Sequence, residues 1–196
     1  MKKTLLIKCA FMIGLSLCIG NSALGQNKKH RVYKKKAVVK QKKHVHRHAR
    51  PYRYAHHPRC GVTVRVRPAG GRIVAYRGVN YHFHNGVWYK PRGNKFVVFR
   101  PFAGIRIKVL PPSCFAFTLR AKKYHYYYGT YYVYIPEAQE YEVVAAPEGA
   151  QVDTLPDDCT EETIGDTTYY VLDDTYYVYS KEDDLYKVVS PSEAAM

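Results

Sequence analysis

No acidic residue occurs before Glu137, and all 16 lie from there onward. Past that point only Lys181 and Lys187 are basic, so the other 29 of the 31 lysines and arginines fall within residues 1–125. Such asymmetry between halves suits a polyanion-facing segment or head-to-tail self-association. Helical periodicity is also lacking. After the first 25 residues no stretch carries apolar side chains at i, i+3, i+4 and i+7, so the chain reads as β-rich. Catalytic signatures are missing too: there is no GxSxG elbow, no HExxH, no CxxC pair and no glycine-rich loop leading into a helix. The paired acids Asp157-Asp158, Glu161-Glu162 and Asp173-Asp174 fall in predicted turns, where solvated charge is the expectation rather than a pair of glycosidase carboxylates. The chain is read as a non-enzyme that needs no cofactor.

Long hydrophobic runs are confined to the start. Lys2 and Lys3 precede an apolar run from Leu5 to Ile19, broken only by Lys8 and Ser16. That run is shorter than the roughly 20 residues of a membrane-spanning helix. The small residues of Ser22-Ala23-Leu24-Gly25 follow it, which predicts a signal peptide over residues 1–25 with cleavage before Gln26. Cys18 closes the run, but Leu17 stands before it where a lipoprotein signal wants a small residue. The expected address is therefore extracytoplasmic: the periplasm, the outer membrane's surface or the exterior, with no membrane span after cleavage. Loss of Lys2, Lys3 and Lys8 with the leader lowers the net charge from +15 to +12.

Cysteine is sparse. Cys9 and Cys18 belong to the leader, which leaves Cys60, Cys114 and Cys159. An odd number in an oxidising compartment allows one bridge and one remaining thiol. Cys114 and Cys159 are the disulfide candidates, since they sit at equivalent places in successive repeats; equivalent places can equally lie too far apart to join.

What the sequence does have is tyrosine, 20 against seven phenylalanines, and repetition. Tyrosine favours pleated, half-buried surfaces. The segments YHFHNGVWYKP from Tyr81, YHYYYGTYYVYIP from Tyr124 and YYVLDDTYYVYSK from Tyr169 share a pattern, and each precedes a second shared segment. Phe96, Tyr141 and Tyr186 then step by 45 positions, as do Cys114 and Cys159. A period of this size marks a supersecondary unit used more than once. The spacing gives two full units and a truncated third. Asn85-Gly86 suits a type I′ hairpin, which would pair Phe83 with Trp88 and His84 with Val87; Tyr126 would pair with Tyr131, and Val171 with Tyr176. Pro147-Glu148-Gly149 reads as a turn before the alternating strand AQVDTLP.

The expected fold is all-β: antiparallel hairpin and meander units of about 45 residues forming a small sandwich or a pair of SH3-like barrels. The expected divisions are a disordered basic, His-rich arm over residues 26–58, a basic β unit over 59–114, an acidic Tyr-rich module over 115–190 and a tail over 191–196.

Within residues 117–190, the strings YHYYYGTYYVY, EYEVVAAPEGAQVDTLPDDC, YYVLDDTYYVY and YKVV resemble a family of uncharacterised, Tyr-rich exported proteins of Gram-negative bacteria. The element PxGAxVxxLP is the more specific part of that resemblance. It implies fold and address and transfers no catalytic residue. The first unit departs from the pattern, with Phe102-Ala103-Gly104 in place of Pro-Glu-Gly and a basic hairpin.

Two clusters remain that could carry chemistry. Arg65, Arg67, Arg72, Arg77, Lys90, Arg92, Arg106 and Lys108 accompany aromatic residues, and arginine holds phosphate with two bonds. Outside the cytoplasm this points to an anionic envelope polymer, lipopolysaccharide or peptidoglycan-associated, or to another envelope protein. His44, His46 and His48 alternate along the arm, a spacing able to chelate zinc, copper or nickel. The alternative function is accordingly a metal-binding or scavenging protein of the periplasm. A third reading is an inert structural module whose charge serves solubility.

Overall fold

The structure, a computed structural model, describes residues 42–43 and 53–190. Among them there is no helix; every regular element is a strand. The strands form three antiparallel sheets in chain order. The first contains β2 (Thr63–Val64), β3 (Arg72–Tyr76), β4 (Val79–His84), β5 (Val87–Arg92) and β6 (Lys95–Phe99), ordered β2-β6-β5-β4-β3. The second contains β7 (Arg106–Ile107), β8 (Phe115–Leu119), β9 (Lys122–Tyr127), β10 (Thr130–Ile135) and β11 (Glu140–Val144), ordered β7-β11-β10-β9-β8. The third repeats the plan with β12 (Gln151–Val152), β13 (Thr160–Ile164), β14 (Thr167–Leu172), β15 (Thr175–Ser180) and β16 (Leu185–Val189). A short strand β1 (Lys42–Lys43) is added to its β13 edge.

Each repeat is thus a short lead strand and a four-stranded meander whose last strand returns to the lead strand. The repeat unit is phased differently from the expectation. The segment GVTVRVRP from Gly61 opens the first sheet as GIRIKVLP from Gly104 opens the second and GAQVDTLP from Gly149 the third. All three copies are therefore complete, where the spacing alone suggests two and a fragment. One hydrogen-bond pattern fastens each lead strand. The amides of Gly61, Gly104 and Gly149 donate to the carbonyls of Val98, Val143 and Val188 at 2.9, 2.8 and 3.0 Å. The amides of those valines donate back to Val62, Ile105 and Ala150. The glycines have φ of 85°, 91° and 83°, a region that disfavours other residues.

The hairpins fall in the expected registers: Phe83 opposite Trp88, His84 opposite Val87, Tyr126 opposite Tyr131 and Val171 opposite Tyr176. Asn85-Gly86 has φ of 49° and 81°, as a type I′ turn requires. None of the sheets closes into a barrel, and three sheets packed in series replace the expected pair.

The core occupies the two junctions. Trp88, Phe83, Phe99, Ile105, Tyr127 and Tyr132 belong to one buried cluster, and Tyr126, Tyr131, Leu155, Leu172, Tyr177 and Tyr186 to the other. In the middle sheet successive residues point to opposite faces, so Tyr126 and Tyr131 enter one cluster and Tyr127 and Tyr132 the other. A sheet covered on both faces needs apolar residues at every position, which is why its hairpin is an almost unbroken tyrosine string. Hydroxyls buried this way need partners. Trp88 Nε1 donates to Tyr132 Oη at 2.9 Å, and the Tyr131 and Tyr177 hydroxyls are 3.2 Å apart.

Two boundaries change. Arg53–Pro58, expected to belong to the arm, is folded: Tyr54 is only 1% exposed and packs edge-on against Tyr127 and Tyr128, ring centroids 5.3 and 5.1 Å away. The physical reason is the aromatic content of this short segment, which the basic residues around it mask. The division expected between 114 and 115 falls inside the second sheet, between β7 and β8. The suggested Cys114–Cys159 bridge is also not made, and Cys60, Cys114 and Cys159 are free thiols. Cys114 packs against the first cluster while Cys159 lies in the second, because equivalent positions in stacked repeats are one repeat apart.

Candidate polyanion-binding site

The basic residues singled out in the sequence lie on the first sheet and in the segments around it. Arg65 and Arg67 follow β2, Arg72 lies on β3, Arg77 in the β3–β4 turn, and Lys90 and Arg92 on β5. All six are exposed, as are Arg106 on β7 and Lys108 after it. Arg106 is neutralised by Glu142, with Nε and Nη2 at 2.7 and 2.6 Å from its carboxylate. Among the described residues no carboxylate pairs with the other seven.

The structure brings only some of these together. Between β3 and β7 lies an open groove of about 450 Å³ lined by Arg72, Ile73, Tyr76, Arg106 and Lys108, with Glu140 the carboxylate among its lining residues. Its end is closed by the Tyr76 hydroxyl, which donates to the Ala103 carbonyl at 3.1 Å. The Arg77 guanidinium stacks over that tyrosine ring, 5.2 Å from its centroid. Lys90 stands instead over Phe99, 5.7 Å from the ring centroid, and Arg92 is opposite Lys95 at the far end of the β5–β6 hairpin. Neither lines the groove.

Other basic residues are paired with carboxylates. Arg100 is 12% exposed and bonds Asp158 at 2.7 Å and Asp173 at 2.9 Å, which ties the first repeat to the third. Arg53 pairs with Asp153 and Arg59 with Asp157. Part of the opposed charge in the two halves is thus consumed inside one molecule. The lone basic residue after an aromatic strand, as in Val98-Phe99-Arg100-Pro101, gives no sequence signal that separates an inward arginine from an outward one.

Histidines 44, 46 and 48 lie outside the described residues. His82 is buried; it packs edge-on against Phe96, and its Nδ1 has no partner among the described residues. Burial, with Arg67 nearby, holds its pKa below the ordinary imidazole value. Burial pushes the thiols of Cys60, Cys114 and Cys159 up to about 12, which keeps them protonated and poorly nucleophilic. Among the described residues no group of three histidine, cysteine, aspartate or glutamate side chains is arranged to hold a metal ion. No helix there is long and apolar enough to cross a membrane.

Fold and surface together define a serial stack of three five-stranded sheets, basic on the first and acidic on the last. The chain belongs to DUF6515, a family of unknown function, which matches residues 19–192. No curated protein matches it, and no solved structure does.

Proposed function

We propose that this is a non-enzymatic, exported protein of the cell envelope that holds itself against an anionic envelope polymer through its basic N-terminal half. The reading takes the first 25 residues as a signal peptide and the destination as the periplasm or the outer-membrane surface of a Gram-negative cell. The observation that carries it is the exposed set of Arg65, Arg67, Arg72, Arg77, Lys90, Arg92 and Lys108, which have no carboxylate partner among the described residues while Arg53, Arg59 and Arg100 receive theirs. An unpaired cationic surface in a protein that has 16 carboxylates is an available ligand for phosphate or uronate groups. Multiple weak contacts of this kind act together and are salt-sensitive, because each displaces condensed counterions.

The test is retention of the protein on immobilised lipopolysaccharide and on peptidoglycan across a salt series. Retention at low salt that falls steeply as salt rises supports the reading. Absence of retention at low salt on both polymers overturns it.

A further inference from the structure

The walls of the groove beside Arg72 are both sheet edges: among the described residues β3 pairs only with β4, and β7 only with β11. The two-residue turn at Arg77-Gly78 makes Tyr76 and Val79 the closing hydrogen-bonded pair of their hairpin. In an antiparallel ladder bonded and non-bonded pairs alternate, so Arg72, Val74 and Tyr76 bond to β4 while Ile73 and Ala75 direct their N–H and C=O toward the open edge. The Ile73 side chain is 56% exposed there. An uncovered edge of this kind is a template for another extended chain.

The molecule already uses one such edge. In the third repeat β13 occupies the position of β3, and Lys42–Lys43 is added to it with Lys42 opposite Glu161 and Lys43 opposite Thr160. Glu161 stands opposite Tyr170 as Ile73 stands opposite His82, at the second residue of the strand. A basic segment therefore lies on an acidic edge, whose sequence includes Glu161 and Glu162. The first repeat presents the same edge with the charge reversed: Arg72 on the strand, Arg77 in its turn and Lys108 on the opposite wall, all exposed and without carboxylate partners among the described residues.

We infer that the β3 edge and its groove take an extended acidic peptide segment as an added strand. Ile73 and Ala75 supply the backbone hydrogen bonds, and carboxylates on the bound segment reach Arg72 and Lys108. Backbone bonds give such a complex its affinity and the flanking charges its choice of partner. This goes beyond polymer anchoring, because a glycan or a lipid phosphate has no strand of amides to offer.

The probe is a short synthetic peptide alternating glutamate with valine, its binding to the purified protein followed by fluorescence anisotropy at low salt. A second peptide has the same sequence with alternate amides N-methylated, which removes the edge hydrogen bonds and keeps the charge. The variant Ile73→Pro removes the edge N–H from the protein side; β4 does not use that N–H, and edge strands tolerate proline. The expected result is binding of the first peptide, with an affinity about tenfold weaker for the methylated peptide or for Ile73→Pro. Equal affinity for both peptides, or no binding of the first, overturns the inference. If Ile73→Pro does not fold, the two peptides on the parent protein still decide it. Peptide binding without polymer retention would sink the anchoring reading alone, and the converse would sink this one alone.

Discussion

Gly86 and Gly129 occupy the same place in two successive hairpins; Gly86 is pressed by the repeat that follows, and Gly129 by Arg100 of the repeat before it and Leu172 of the one after. A Cβ on Gly86 would run into the Tyr127 ring, and one on Gly129 would lie 2.8 Å from a Leu172 methyl. Both have φ near 80°, so a side chain there meets a steric wall and an unfavourable backbone at once. Gly78 has a similar φ of 77° with nothing within 4 Å. Gly86→Ala should therefore cost about 2–5 kcal/mol, combining overpacking with backbone strain, and Gly78→Ala only about 1 kcal/mol. Chemical denaturation of the two variants separates the effects; equal losses would mean that Gly86 is not tightly seated. Tyr128 is a further special position, a bulky residue at φ 47°. Its hydroxyl donates to the Pro58 carbonyl at 2.9 Å and its ring meets Tyr54, so the Arg53–Pro58 segment holds it in place. Removal of a ring that is 1% exposed, as in Tyr54→Ala, should lower stability by about 3–5 kcal/mol in the same assay.

The buried tyrosines also set a pH limit. Burial raises the hydroxyls of Tyr126, Tyr131, Tyr132 and Tyr177 above the ordinary value of 10.0. A group whose pKa is higher folded than unfolded contributes its full stability below the unfolded value and loses it as pH rises beyond. Stability should hold up to about pH 10 and fall above it, where the unfolded chain releases protons that the folded one retains. Absorbance titration should show exposed tyrosines ionising first and the buried ones only as the protein unfolds. A single smooth titration of all the tyrosines in folded protein would contradict this.

At the scale of elements, one junction is used twice. Trp88 of the first repeat meets Tyr132 of the second, and Tyr131 of the second meets Tyr177 of the third, through equivalent positions. Trp88→Phe leaves the indole's hydrogen bond unmade in a buried setting and should cost about 1–3 kcal/mol, measured by denaturant unfolding. The junction does not extend further in kind, because the third hairpin has Asp173-Asp174 where the others end in glycine, and another sheet seated the same way would meet the Asp174 side chain. Hairpin pairing was legible from Asn85-Gly86 and from the tyrosine strings, since register follows from a two-residue turn and from strand alternation. The repeat phase was not. The lead strands Thr63–Val64, Arg106–Ile107 and Gln151–Val152 are two residues long and read as the tails of preceding segments until their partners are known. The fate of the cysteines was equally hidden, because equal spacing in sequence says nothing of distance between stacked sheets. Alkylation after unfolding without a reductant should modify Cys60, Cys114 and Cys159 alike, and a single modified thiol would restore the bridge.

At the scale of the whole molecule, charge is partitioned between structure and surface. Arg53, Arg100 and the exposed Arg59 pair with carboxylates of the third repeat, and the rest of the outward set has no carboxylate partner among the described residues. The sequence showed the excess of positive charge but not this division, which depends on which side of the junction each arginine reaches. The groove was likewise out of reach, since it forms from two edges, β3 and β7, that belong to different sheets.

The most direct measurement compares the salt dependence of retention on lipopolysaccharide for the parent protein and for a variant with Arg65→Glu, Arg67→Glu, Arg72→Glu and Lys108→Glu. If the outward set holds the polymer, the variant's retention falls and its logarithmic salt slope becomes shallower by about one for each phosphate no longer neutralised. An unchanged slope and retention in a folded variant would contradict the account, because the basic face would then have no part in binding.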